Sequence, residues 1–214
     1  MDLLTGLLDT GIVAIVRLSS AEHLMRVADA IAAGGVRYIE FTMTTPRALE
    51  TLAAVTERYG DDLVFGAGTV LDAETARHAL LAGARFVVAP TLDEATITLC
   101  KRYGALAMPG AFTPTEILRA WELGADVVKV FPSEVLGPAF IRAVRAPLPQ
   151  VRLAPVGGVG LDNTAAYIAA GAACVGVGSS LVSNALVAAG DWATLTERAA
   201  GLIAAVQTGR VQSL

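Results

Sequence analysis

The sequence predicts an α/β fold, a (β/α)8 TIM barrel, in a single domain over residues 1–214 with a short N-terminal helix and a C-terminal helix. Three observations predict it. A punctuation of helix, glycine, short apolar strand recurs along the chain. The strands it marks are near-continuous apolar runs, as expected for a parallel sheet covered on both faces. The first of them, Ile15-Val16-Arg17-Leu18-Ser19, is followed by none of the glycine fingerprint that an open doubly wound sheet would carry there.

The elements follow in order. Glycine marks stand at Gly34-Gly35, Gly60, Gly83, Gly104, Gly124 and Gly171, where a residue just past a helix end must tolerate the left-handed conformation. Successive marks from 34 to 124 lie 26, 23, 21 and 20 residues apart, the length of one βα unit, and the interval of 47 to Gly171 holds two. Within it Pro147 and Pro149 stop the helix instead. Strands are expected at 12–16, 36–42, 63–67, 85–89, 105–108, 126–131, 151–155 and 173–177. Helices are expected at 20–33, 46–59, 72–82, 93–103, 114–123, 138–145, 161–170 and 192–207, with Pro46 and Pro114 at helix N-termini. No linker or low-complexity stretch divides the chain.

Composition narrows the function. With 54% hydrophobic and 17% charged residues, most of the chain must be packed inside a core. The net charge of −4 and scattered basic residues predict no nucleic-acid surface. No apolar run is long enough for a membrane span. Met-Asp-Leu-Leu-Thr-Gly lacks a basic leader region, which predicts a cytoplasmic protein. Cys100 and Cys174 lack metal-ligand spacing and read as buried free thiols. His23 and His78 fall on expected helix surfaces without partner ligands, so no metal site and no cofactor is expected.

The strongest chemical signal is Lys129, inside Ala-Asp-Val-Val-Lys-Val-Phe-Pro at residues 125–132. Alternation puts Val127, Lys129 and Phe131 on one face and Val128 and Val130 on the other. Desolvation disfavours an ammonium ion, so a lysine there becomes a nucleophilic amine near neutral pH, suited to Schiff-base chemistry. The alternative is a structural ion pair. Active sites of such barrels gather at the C-terminal strand ends. There strand 1 ends at Arg17, strand 2 carries Glu40 and strand 3 runs into Gly66-Ala67-Gly68-Thr69. Strand 4 ends at Pro90-Thr91. Glu40 shares its face with Tyr38 and Thr42 and reads as the proton carrier, or as a carboxylate that merely neutralises Lys129. Arg17 reads as a site residue or a surface cap. The glycine-rich ends of strands 7 and 8, Pro155-Val156-Gly157-Gly158-Val159 and Gly176-Val177-Gly178-Ser179-Ser180, expose backbone N–H groups before helices and predict a phosphorylated substrate.

These residues resemble a known family. Gly66-Ala67-Gly68-Thr69-Val70, Met108-Pro109-Gly110-Ala111-Phe112-Thr113-Pro114-Thr115-Glu116, Val128-Lys129-Val130-Phe131-Pro132-Ser133-Glu134 and Pro155-Val156-Gly157-Gly158-Val159 look like the 2-keto-3-deoxy-6-phosphogluconate and 4-hydroxy-2-oxoglutarate aldolases. The resemblance runs from about residue 8 to 207. It implies a class I aldolase yielding pyruvate and glyceraldehyde 3-phosphate, with Lys129 forming the Schiff base and Glu40 as general acid/base. It also implies that Thr69, Pro90 and Phe131 line the pyruvate pocket and that Arg17 meets the carboxylate. Gly157, Gly158, Gly178 and Ser179 would then hold the phosphate, in a metal-independent homotrimer. Two positions depart from the best-known members: Thr44 replaces an arginine, and Val156 replaces a threonine as it does in relatives acting on the galactonate epimer. The other readings the sequence leaves open are a phosphate-binding barrel isomerase or epimerase and a non-catalytic trimeric scaffold.

Overall fold

A computed structural model describes residues 2–212. Asp2 opens the first helix by accepting the Thr5 N–H at 3.2 Å, and α1 (Leu3–Thr10) ends at Gly11, whose φ of 74° is left-handed. Among the described residues nine strands follow: β1 (Ile12–Val16), β2 (Tyr38–Thr42), β3 (Val64–Gly68), β4 (Phe86–Val88), β5 (Leu106–Met108), β6 (Gly110–Ala111), β7 (Val128–Val130), β8 (Leu153–Pro155) and β9 (Val175–Val177). All strand pairs are parallel. Six strands form a curled sheet in the order β5-β4-β3-β2-β1-β9, and β6-β7-β8 form a second sheet.

Backbone bonds stitch the two sheets together at both edges. On one side Asp126 N–H donates to the Ala107 carbonyl at 3.0 Å and Lys129 N–H to Pro109 at 2.9 Å. On the other, Ala173 N–H donates to Leu153 at 2.8 Å, and Val156 and Gly176 form an isolated parallel bridge.

The period-2 reading of the strands matches the packing. Ile12, Ala14, Val16, Ile39, Phe41, Val128 and Val130 join one buried cluster between sheet and helices. The alternate positions Val13, Ile15, Tyr38, Phe86, Val88, Val127 and Val156 join a second cluster on the other sheet face. Leu3, Leu4 and Leu7 of α1 pack against that second cluster, and the Tyr38 hydroxyl donates to the Leu3 carbonyl at 2.7 Å. An apolar helix face therefore covers one end of the inner cluster.

The helices are α2 (Leu24–Ala33), α3 (Ala48–Tyr59), α4 (Ala73–Leu81), α5 (Glu94–Arg102), α6 (Pro114–Glu122), α7 (Gly137–Arg145), α8 (Thr164–Ala169), α9 (Asn184–Ala189) and α10 (Trp192–Gln212). Pro114 takes the expected first-turn position, inside a capping box of Thr113 and Glu116. Pro46 does not: it lies in the turn before α3, which begins after Arg47, a non-glycine residue at φ 58°. The helix expected from residue 20 begins at Leu24, and the six-residue α9 has no counterpart in the sequence reading. Among the described residues no helix is long and apolar enough to cross a membrane. Cys100 and Cys174 are buried free thiols, as expected.

Candidate active site

A cavity of about 630 Å³ opens at the C-terminal ends of the strands. Its lining includes all ten residues singled out from the sequence: Arg17, Glu40, Thr69, Pro90, Lys129, Phe131, Gly157, Gly158, Gly178 and Ser179. They come from β2 and β7 or from the loops that follow β1, β3, β4, β7, β8 and β9, so only the folded sheet brings them together.

Lys129 is 6% exposed and Glu40 is 2% exposed. Lys129 has no ion pair among the described residues, which removes the structural ion-pair reading in its direct form. Its ammonium nitrogen lies 4.7 Å from the centroid of the Phe131 ring. Burial depresses its pKa, an effect opposed by the Glu40 charge and reinforced by the Arg17 charge. Burial likewise raises the Glu40 carboxyl to about 7, against the pull of Lys129 and Arg17. One carboxyl oxygen, Oε2, is buried without a hydrogen-bond partner. A carboxyl that titrates near neutrality with a free oxygen is equipped to take up and return a proton.

Glycines make the room. A Cβ at Gly68 would fall 1.4 Å from Glu40 Oε1, and one at Gly66 would fall 2.4 Å from the Phe86 ring. Thr69, directly after Gly68, is held at φ 58°, an uncommon conformation for a β-branched residue, and it lines the cavity. Arg17 is exposed at the cavity wall. Thr44 is absent from the lining, and its hydroxyl donates to Thr42 at 3.1 Å. Arg17 is therefore the only arginine in the cavity wall among the described residues.

Sequence reasoning missed Asp162, Ser183 and Asn184, which line the cavity together with Ser180. Ser180 extends the Gly178-Ser179 segment already noted, whereas Ser183 and Asn184 belong to the unread start of α9. Both helices beyond the glycine loops, α8 and α9, are only six residues long.

A desolvated lysine and a near-neutral carboxyl line one cavity at the C-terminal ends of a parallel α/β sheet, the setting that carbonyl chemistry of the aldolase type requires. The chain belongs to the KDPG and KHG aldolase family, whose model matches residues 5–198. Its members are lyases. The 2-dehydro-3-deoxy-phosphogluconate aldolase of Treponema pallidum is 39% identical over 86% of this chain and 88% of its own. The 2-dehydro-3-deoxy-6-phosphogalactonate aldolase of Escherichia coli is 34% identical over 79% of this chain and 83% of its own. The KDPG aldolase of Legionella pneumophila, solved with pyruvate captured as a covalent carbinolamine, is 26% identical and superposes with a TM-score of 0.85, covering 93% of this chain and 97% of that one.

Proposed function

We propose that the chain is a class I aldolase that cleaves a 2-keto-3-deoxy-6-phospho sugar acid to pyruvate and glyceraldehyde 3-phosphate. The observation that carries this reading is a buried, unpaired Lys129 facing the same cavity as a carboxyl raised to about 7. The Lys129 amine adds to the C2 ketone, and loss of water gives an iminium. Glu40 takes the C4 hydroxyl proton, the C3–C4 bond breaks, and its electron pair flows into the iminium. An aldehyde leaves and an enamine of pyruvate stays on the lysine. Glu40 returns the proton to C3, and water hydrolyses the resulting iminium to pyruvate and the free amine.

Arg17 meets the substrate carboxylate, and Thr69, Pro90 and Phe131 bound the pyruvate portion. Holding C2 against the amine is the positional share of the rate. Gly157, Gly158, Gly178 and Ser179 receive the phosphate. That Lys129 and the two glycine loops line one cavity supports this division. Val156 gives the wall a branched apolar side chain where a hydroxyl would discriminate between C4 epimers, which favours a second substrate, the phosphogalactonate epimer. Pyruvate release from each epimer, followed through a coupled lactate dehydrogenase assay, tests the assignment. Turnover of either epimer is the expected result, and inactivity on both contradicts it.

The backbone bonds at both sheet edges support a closed (β/α)8 barrel, in which β6 continues β5. The larger buried cluster, running from Ile12 to Val206, supports one domain over 1–214. Exposed Leu71, Phe112 and Leu118 supply apolar area for self-contact and support a homotrimer, read out by sedimentation. The two free thiols accord with the reducing cytoplasm.

A further inference from the structure

The segment Gly157-Gly158-Val159-Gly160 has an unusual property: each of its four carbonyls accepts a hydrogen bond from a side chain. Ser133 Oγ donates to Gly157 O at 2.8 Å and Asn163 Nδ2 to Gly158 O at 2.8 Å. Ser180 Oγ donates to Val159 O at 2.5 Å and Thr164 Oγ1 to Gly160 O at 2.7 Å. In a planar trans peptide the N–H of the next residue points opposite to the carbonyl. Anchoring the carbonyls of 157, 158 and 159 therefore fixes the N–H groups of Gly158, Val159 and Gly160. The last is used, donating to Asn163 Oδ1 at 2.9 Å. The N–H groups of Gly158 and Val159 have no partner among the described residues, and both residues line the cavity.

Three of the tethers, Ser133, Asn163 and Thr164, stand outside the cavity wall. Ser133 is fully buried just beyond the strand of Lys129; its N–H donates to the Val156 carbonyl at 2.8 Å, and its own carbonyl accepts from the buried Tyr167 hydroxyl at 3.0 Å. Asn163 grips the loop twice, donating to Gly158 O and accepting from Gly160 N–H. Gly157 at φ 94° and Gly158 at φ 68° supply the backbone conformations this arrangement needs.

We propose that Ser133 and Asn163 are positioning residues that hold the loop carbonyls away from the cavity, so that the Gly158 and Val159 N–H groups form a preorganised cradle for the anionic end of the substrate. The inference rests on the phosphate reading of this loop and adds to it the side chains that build the cradle.

The test compares Ser133→Ala and Asn163→Ala with the parent protein on phosphorylated and unphosphorylated 2-keto-3-deoxy acids, with inorganic phosphate as a competitor. The expected result for each variant is a rise of about tenfold in KM for the phosphorylated substrate, with kcat within about twofold. The inhibition constant of inorganic phosphate rises in parallel, and kinetics on the unphosphorylated acid do not follow. Ser133→Thr, which keeps the hydroxyl, restores the KM. Equal losses on both substrates would mean a general structural role and overturn the proposal, as would an unchanged KM in both variants. If the parent itself neither prefers the phosphorylated acid nor responds to phosphate, the phosphate reading fails instead. Asn163, which is partly exposed, keeps the test decisive should the buried Ser133 variant not fold.

Discussion

Glu40 occupies the space that a side chain at position 68 would need: a Cβ on Gly68 would lie 1.4 Å from Glu40 Oε1 and 2.1 Å from its carboxyl carbon. On the paired strands Glu40 is in register with Gly66 and Thr42 with Gly68, so the carboxyl reaches Gly68 diagonally. Gly68→Ala therefore drives the carboxyl out of place without touching Lys129. General acid–base catalysis is worth roughly 10²–10⁴ in rate. The variant should lose turnover on that scale, measured as kcat, and activity within tenfold of the parent would show that the carboxyl position is unimportant.

The pH profile follows from the same residue. With its pKa at about 7, Glu40 is protonated below neutrality and unable to accept the C4 hydroxyl proton. The rate should fall about tenfold per pH unit below that point, with the apparent pKa belonging to the coupled Glu40 and Lys129 pair. Glu40→Gln should remove this acid limb. A limb near the ordinary carboxylate range instead of near 7 would place the titrating group elsewhere.

Stability responds in the opposite sense. The folded-state pKa of Glu40 lies above the ordinary carboxyl value of 4.5. Its contribution is therefore fully present below about pH 4.5 and is lost as the pH rises through about 7. A shift of that size corresponds to something on the order of 3 kcal/mol. Urea denaturation should show Glu40→Gln gaining on the parent between pH 5 and pH 8; identical pH dependence of the two proteins would contradict the burial argument.

Much of this site could be read from the chain because the strand period is two. Lys129, Phe131 and Val127 share a face in the sequence, and Val127 and Phe131 do pack together on the inner side. Glu40 was visible for the same reason. The contact between Glu40 and Gly68 was not, because it depends on the register of two strands, which no local pattern specifies. Nor were the tethers from Ser133 and Ser180 to the 157–160 loop, which span 24 and 21 residues. Pro46 misled because a proline marks a turn as readily as a helix start. The six residues of α9 are too few to show a helical period.

Part of the Met108–Glu116 motif is architectural. Glu116 accepts the N–H groups of Phe112 and Thr113 at 2.9 and 2.8 Å, and these bonds hold its carboxyl below the usual range. Thr113→Ala should cost about 1 kcal/mol of stability through the lost cap, with kcat unchanged. A fall in kcat without a fall in the unfolding midpoint would assign the segment a direct role in the reaction.

Lys129 is the central claim, and its removal is informative on its own. Lys129→Ala takes away a buried cation that makes no ion pair among the described residues, so the fold should persist while turnover vanishes. Circular dichroism and the coupled assay read the two outcomes separately. More than trace activity in the variant would rule out the lysine mechanism.

The most direct measurement is the intact mass of the protein after incubation with pyruvate and sodium borohydride, followed by peptide mapping. The structure predicts one reduced pyruvate adduct per chain, carried by Lys129. An unmodified protein, or an adduct on the other lysine, Lys101, would contradict the assignment of Lys129 as the Schiff-base residue.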